Sequence, residues 1–114
     1  MATILDDGDR FVLSKLDTRV LVSLSLGQMN AYQIGRQCEQ DSRGPEVRIS
    51  NSTLQHSLKS LVGLMLVQVL EGRLDGPGRP SKLYKINSMG RQVLEWELSD
   101  IRHTLSLGEE RLKH

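Results

Sequence analysis

The sequence is poor in the residues that build disulfides and metal sites. Its 114 residues include a single cysteine, Cys38, and three widely spaced histidines, His56, His103 and His114. Neither an intramolecular disulfide nor a Cys/His zinc site is therefore predicted. No stretch approaches the roughly 18 apolar residues of a membrane span, and the acidic start of the chain does not resemble a signal peptide. We expect a reduced, soluble, cytoplasmic protein that uses no metal or cofactor and contacts no membrane.

The sequence also lacks the residue arrangements on which most enzymes depend. No Ser/His/Asp, Cys/His or paired-carboxylate set falls on neighbouring predicted elements. No glycine-rich phosphate loop follows a strand either, because Gly76-Pro77-Gly78 joins two predicted strands. A chain of this length supports one domain with a modest core. These features favour a single-domain binding protein over an enzyme.

Charge is nearly balanced over the whole chain but unevenly distributed along it. The formal net charge is +1. The segment 43–91 carries eight basic residues against three acidic ones, a local charge of +5 that leaves −4 for the two flanks. A basic middle between acidic ends indicates a surface that faces a polyanion. Ordinary surface charge that happens to be uneven explains the same counts equally well.

Helical periodicity begins after residues 1–15, which lack a sustained pattern and are predicted to form a flexible arm. A first helix is predicted over 16–26, with Asp17 as its N-cap. A second helix is predicted from Ala31 to about Ser42 behind an Asn30 cap. The apolar or small positions of this second helix are Tyr32, Ile34, Gly35 and Cys38.

The third predicted helix has two contrasting faces. Ser52 and Gln55 have the spacing of a capping box, which places the helix start at Ser52. The apolar face consists of Leu54, Leu58, Leu61 and Met65, and the opposite face carries Ser52, His56, Lys59 and Ser60, with Gln55 at its edge. A helix with a leucine inner face and a short, basic outer face fits a DNA major groove, although many surface helices share this pattern.

Two strands and a long helix complete the predicted order. The strands cover 66–70 and 81–86 on either side of a glycine- and proline-rich tip, and they need support because a lone hairpin is marginal in water. The helix begins after Asn87 or Ser88. Its apolar seam has coiled-coil spacing and consists of Leu94, Leu98, Ile101, Leu105 and Leu112, interrupted at Gly108. Met89, Val93 and Trp96 form another face, so we expect this helix to pack on its own domain and on a second copy.

Three short motifs lie on these predicted elements. The opening of the second helix carries Gly27, Met29, Tyr32 and Ile34, and the third helix carries Thr53, Leu54, Leu58, Lys59 and Leu61. The third motif covers the two-stranded hairpin, or wing, and the start of the following helix. It consists of Gly78, Arg79, Pro80, Lys82, Tyr84, Lys85, Asn87 and Gly90. With these motifs the chain resembles the PadR-type transcriptional regulators of bacteria and archaea.

Three positions depart from the PadR pattern. Gln55 and His56 stand where the family usually has tyrosine and proline, so its operator contacts do not transfer there. Met65 stands where the family usually has a glycine after the third helix, so the family's pattern does not place the end of that helix.

The resemblance implies a fold and a division of the chain. The expected fold class is α+β and mostly helical: a winged helix-turn-helix with a two-stranded wing and a long C-terminal dimerisation helix. We expect a flexible arm over 1–15, a winged helix DNA-binding domain over 16–88, and a dimerisation helix with a short tail over 89–114. The implied function is sequence-specific binding of double-stranded DNA by a transcriptional regulator, usually a repressor, that acts as a homodimer on an inverted-repeat operator. The alternative is a winged helix that binds another protein and no DNA.

Specific residues are predicted to carry these roles. Gln55 is the best base reader, because its amide can pair with adenine through two hydrogen bonds. Ser52 is equally well explained as a helix cap. The residues predicted to contact the major groove or its rim are Ser52, Thr53, Gln55, His56 and Lys59. The residues predicted to contact the sugar-phosphate backbone, or the minor groove beside the wing, are Arg73, Arg79 and Lys82. The predicted dimer interface consists of Leu94, Leu98, Ile101 and Leu105. The resemblance also implies a small-molecule effector, for which Trp96 is the candidate contact, although a core role for Trp96 is the simpler interpretation.

Overall fold

The structure, a computed structural model, describes residues 3–4, 11–42, 48–71 and 82–113. Two short strands, β1 (Thr3–Ile4) and β2 (Phe11–Val12), pair antiparallel. The helices α1 (Lys15–Leu24), α2 (Ala31–Asp41) and α3 (Asn51–Gly63) follow. The antiparallel strands β3 (Val67–Glu71) and β4 (Lys82–Ile86) then lead into α4 (Ser88–Leu112). The paired strands β1 and β2 lie within residues 1–15, the segment predicted as a flexible arm.

Helix α1 begins at a capping box, and its N-cap is not the predicted Asp17. Ser14 is the N-cap: its hydroxyl accepts from Asp17 N, and Asp17 Oδ2 accepts from Ser14 N, both at 3.0 Å. Asp17 is therefore the acidic third residue of the first turn, not the cap. The fully buried Asp17 also accepts a 2.5 Å hydrogen bond from Ser57 Oγ, which ties α1 to α3 across 40 positions of sequence.

Helix α2 follows the prediction at its cap and departs from it on one face. Asn30 caps the helix and exchanges 2.9 Å hydrogen bonds with Gln33, as a capping box requires. Ile34 and Cys38 are buried in the core, whereas Tyr32 is 72% exposed. The prediction that Tyr32 lies on the apolar face is wrong, because two residues along a helix turn the side chain by about 200°. Burial raises the pKa of the Cys38 thiol, which makes it a weak nucleophile.

The N-cap of α3 lies two residues earlier than predicted. Ser50 is the N-cap and accepts from Thr53 N at 3.2 Å, so the predicted capping box of Ser52 and Gln55 does not form. The leucine face is confirmed, since Leu54, Leu58 and Leu61 are all buried.

The end of α3 is a Schellman turn with an unusual residue. Leu66 N donates to Leu61 O at 3.0 Å and Met65 N donates to Val62 O at 2.9 Å, the paired bonds that close such a turn. Met65 has φ +62°, a left-handed conformation that favours glycine, and its side chain is 75% exposed. The sequence had suggested that Met65 belongs to the leucine face. This prediction is wrong, because the turn carries Met65 away from the core.

The wing strands are supported by the helical part of the chain. Tyr84 and Ile86 are buried, and the segment between α1 and α2 adds to the outer edge of β4. There Met29 N donates to Tyr84 O at 3.1 Å, and Tyr84 N donates to Met29 O at 2.8 Å. The hairpin therefore packs against the preceding part of the chain, which agrees with the expectation that a lone hairpin needs support.

Only the start of α4 belongs to the domain core. Val93 and Leu94 are buried, and Leu94 is just 7% exposed. Leu94 therefore packs on its own domain, which corrects its assignment to the dimer interface. Among the described residues after Leu94, none in α4 is buried. Within the described ranges, no helix combines the length and apolar character that a membrane span requires.

Candidate nucleic-acid interface

A groove of about 630 Å³ runs between α3 and the wing strands. Residues from both elements line it, so α3, which is the predicted DNA-reading helix, and the predicted wing share one concave surface. The α3 side contributes Ser52, Gln55, His56 and Lys59, and the strand side contributes Val69, Lys82 and Tyr84, with Leu58 and Val62 at the base.

The outer face of α3 presents polar side chains that are free to contact a ligand. Gln55, His56 and Lys59 are exposed, and their side chains have no hydrogen-bond or ion-pair partner within the part of the chain that the structure describes. Ser52 and Thr53 lie closer to the cap. Ser50 Oγ donates to Thr53 Oγ1 at 2.7 Å, so the Thr53 hydroxyl is already engaged in the helix start. Gln55, His56 and Lys59 are thus the three most available side chains of this face.

Buried contacts fix which face of α3 points outward. The leucine face packs into the core, and Ser57, itself buried, donates to the Asp17 carboxylate of α1. A hydrogen bond to a charged group is stronger than one between neutral groups. This link and the leucines together oppose rotation of α3 about its axis, so the outward direction of Gln55 and Lys59 is set by the core.

Among the wing residues that the structure describes, one basic side chain lines the groove. Lys82 is exposed at the start of β4 and lies opposite Glu71 in the strand register. Such a cross-strand pair of opposite charges is a modest interaction, so Lys82 remains available to a stronger anion. The predicted backbone contacts Arg73 and Arg79 lie outside the described residues.

Sequence reasoning missed two side chains beside the start of α3. Tyr32 and Arg36 of α2 are exposed and flank a cleft of about 190 Å³ that Asn51 of α3 borders on the other side. Their spacing of four residues places them on one face of α2. That spacing was visible in the sequence, but assigning Tyr32 to the core hid it.

The protruding part of α4 exposes two groups of side chains. Leu98, Ile101 and Leu105 are exposed apolar residues of the predicted seam. Trp96 is 46% exposed, which contradicts a role as core anchor, and it borders a shallow depression of about 370 Å³ with Ser99, Asp100 and His103. No group of three metal-binding side chains is found in the ranges that the structure describes.

Comparison with known proteins locates the fold among transcription regulators. No protein-family model and no curated protein matches the sequence. A PadR family transcription regulator from hypervirulent Clostridium difficile has a similar structure, with a TM-score of 0.76 and 18% identity over 87% of this chain and 99% of that one. A transcriptional regulator from Clostridium thermocellum gives a TM-score of 0.72 and 18% identity over 87% and 97% of the two chains.

A third similar structure was solved with DNA. Bacillus subtilis PadR in complex with operator DNA has a TM-score of 0.65 and 21% identity, covering 75% of this chain and 47% of that chain. These similarities confirm the fold that the sequence motifs implied. The chain has the winged helix fold of the PadR family regulators, with a two-stranded wing and a long C-terminal helix.

Proposed function

We propose that this chain is a sequence-specific transcriptional regulator that binds double-stranded DNA through α3 and the wing. The observation that carries the proposal is the groove in which Gln55, His56 and Lys59 of α3 face Lys82 of β4. A DNA major groove accepts one α-helix, and a neighbouring basic hairpin can then reach the flanking phosphates. Bacillus subtilis PadR, a similar structure solved in complex with operator DNA, supports DNA binding by a chain of this fold.

Each residue of the surface has a proposed role. Gln55 reads a base edge, and Ser52, Thr53 and His56 contact the groove or its rim. Lys59 and Lys82 neutralise phosphates, and Arg73 and Arg79 do the same from the wing tip. Tyr32 and Arg36, which lie beside the start of α3, extend the backbone contact to α2, since the helix preceding a reading helix commonly crosses the DNA backbone.

The proposal includes a homodimer on an inverted-repeat operator. Helix α4 leaves Leu98, Ile101 and Leu105 exposed in a single chain, and a second copy would cover them. Two copies related by a two-fold axis would place their reading helices about one duplex turn apart, roughly 34 Å. Repression follows if the operator overlaps a promoter. Light scattering at tens of micromolar measures the dimer directly.

A winged helix that binds a protein instead of DNA is the competing function, and salt dependence separates the two. A DNA-binding protein releases counterions, so its affinity for duplex falls steeply as salt rises. A protein-binding module should show no affinity for duplex even at low salt.

The test is to select duplexes from a random pool and then to measure the salt dependence of binding for Lys59→Ala. We expect an inverted repeat to be recovered. For this duplex, Lys59→Ala should lower affinity roughly threefold to tenfold and reduce the slope of log K against log salt by about 0.9, because one phosphate contact is lost.

Lys113→Ala is the matched control, since Lys113 is an exposed lysine at the far end of α4. Its affinity and slope should equal those of the wild type. Absence of duplex binding by the wild type at low salt would contradict the proposed function. If the slope of log K against log salt is the same for Lys59→Ala and the wild type, Lys59 makes no phosphate contact.

The depression beside Trp96 is proposed as the contact for a small-molecule effector. Trp96 offers an aromatic face and Asp100 offers a negative charge, a combination that suits a planar aromatic cation. Such a compound should quench the fluorescence of Trp96, the sole tryptophan, with saturation. Asp100→Asn should weaken binding of the cation and spare a neutral compound of the same shape. Quenching that rises linearly without saturation would contradict the proposed site.

A further inference from the structure

The ends of α3 and β4 meet the start of α4 at one residue, Asn87. Its side-chain amide donates to Met65 O at 2.6 Å, and its backbone N–H donates to Leu66 O at 3.2 Å. Its Oδ1 meanwhile accepts from Gly90 N at 2.7 Å and so caps α4. One side chain therefore both starts α4 and binds the turn that ends α3.

The contact between these two helix ends is tight. A Cβ atom added at Gly90 would overlap Leu66 O and lie 2.8 Å from Ile86 Cγ1, so the α4 backbone lies directly against the turn. The turn itself is held in place by its own hydrogen bonds, which run from Met65 N and Leu66 N to the last turn of α3. A tilt of α4 relative to the turn would therefore break the hydrogen bonds from Asn87 to Met65 O and Leu66 O.

The joint lies between the two functional surfaces of the chain. Helix α3 carries the side chains of the groove, and α4 carries the exposed apolar seam. Asn87 does not line the groove and is not part of the seam. Its hydrogen bonds therefore influence how the two surfaces are oriented without contributing to either.

We propose that Asn87 is a positioning residue that sets the angle between the reading helix and the dimerisation helix. In a homodimer this angle fixes the distance and orientation of the two reading helices, and hence the spacing of the half-sites that can be bound together. The inference rests on the proposed function, because it concerns a dimer on DNA. It adds a residue that acts on operator geometry without touching the operator.

Two variants separate the capping of Gly90 N from the hydrogen bond that the Asn87 amide donates to Met65 O. Asn87→Ser and Asn87→Asp both keep an oxygen that can cap Gly90 N, because serine and aspartate are good N-cap residues. Neither can donate from a side-chain amide to Met65 O. Asn87→Ser adds no charge, and Gln92→Glu is the charge-matched control for Asn87→Asp at an exposed position of α4.

The readout is affinity, by fluorescence anisotropy, for the selected inverted repeat and for a duplex with one half-site. We expect both Asn87 variants to bind the half-site within about twofold of the wild type. They should bind the full repeat about tenfold more weakly, because bivalent binding is weakened when the two reading helices fit the two half-sites less well. A series of repeats with altered spacers should show a shifted or broadened optimum for the variants, and Gln92→Glu should keep the wild-type optimum.

A residue that only stabilises the fold would lower both affinities together and leave the preferred spacer unchanged, and this result would overturn the inference. An unchanged ratio of full-site to half-site affinity would overturn it as well. If the wild type binds no duplex, the proposed function fails together with this inference. If the wild type binds the repeat and the Asn87 variants behave like it, this inference alone is wrong.

Discussion

Replacing Gly90 by alanine is expected to lower the free energy of unfolding by about 3 kcal/mol or more. The new methyl group would overlap the carbonyl oxygen of Leu66, and this oxygen belongs to the rigid turn after α3 and cannot swing away like a flexible side chain. Alanine has a higher helix propensity than glycine by about 1 kcal/mol, which offsets a minor part of the overlap. Urea unfolding followed by circular dichroism measures the difference.

Gly108 provides the control in the same helix. Apart from the adjacent residues and the nearby backbone of α4 itself, no described atom lies within 4 Å of a Cβ added there. Gly108→Ala should therefore keep or raise stability, by up to about 1 kcal/mol. Equal effects of the two substitutions would show that the contact between Gly90 and Leu66 is not a constraint on the fold.

Replacing Ile101 by aspartate is expected to convert a homodimer into monomers. Ile101 is exposed in the single chain, so the substitution leaves the domain core untouched, whereas an unpaired charge buried between two copies is strongly unfavourable. Loss of bivalent binding should lower affinity for the full inverted repeat by about 100-fold and leave half-site affinity near that of the wild type. Light scattering and anisotropy measure the two effects.

Ser106→Asp adds the same charge on α4 at an exposed position off the seam, and it should remain dimeric. A dimer of Ile101→Asp with wild-type mass would place the interface elsewhere on the chain. A monomeric Ile101→Asp that kept full affinity for the repeat would separate dimerisation from DNA binding.

The sequence predicted the order of the elements well because their periodicities are strong. The leucines of α3 recur with helical spacing, and the wing strands are separated by residues that cannot continue a helix. Strand bounds differ from the prediction by at most one residue. Asn30 was identified as a cap because no other capping residue lies immediately before that helix.

The caps of α1 and α3 were misplaced, because two candidate capping residues lie close together at each helix start. Ser50 and Ser52 can both cap a helix, and the extended backbone at Ser50 selects it. Ser14 and Asp17 are likewise both capping residue types, and the structure uses them as a reciprocal pair. Spacing along the chain does not contain this backbone information.

Long-range contacts were beyond any local pattern. Leu94 fits the spacing of the seam, but the domain covers the first turns of α4 and buries it. The hydrogen bond from Ser57 to Asp17 joins residues 40 positions apart. The ties from Asn87 to the turn after α3 similarly depend on how α4 docks, which periodicity alone does not determine.

The protruding part of α4 has a consequence for the molecularity of folding. From Glu95 onward the helix has no buried side chain among the described residues, and an isolated helix of about 18 residues is only marginally stable in water. In a homodimer each copy would supply the missing apolar partner, so this part of the chain would fold in a second-order step. The thermal midpoint of unfolding would then rise with protein concentration. The concentration of the chain in the cell would therefore set the fraction that is folded as well as the fraction of operator that is occupied.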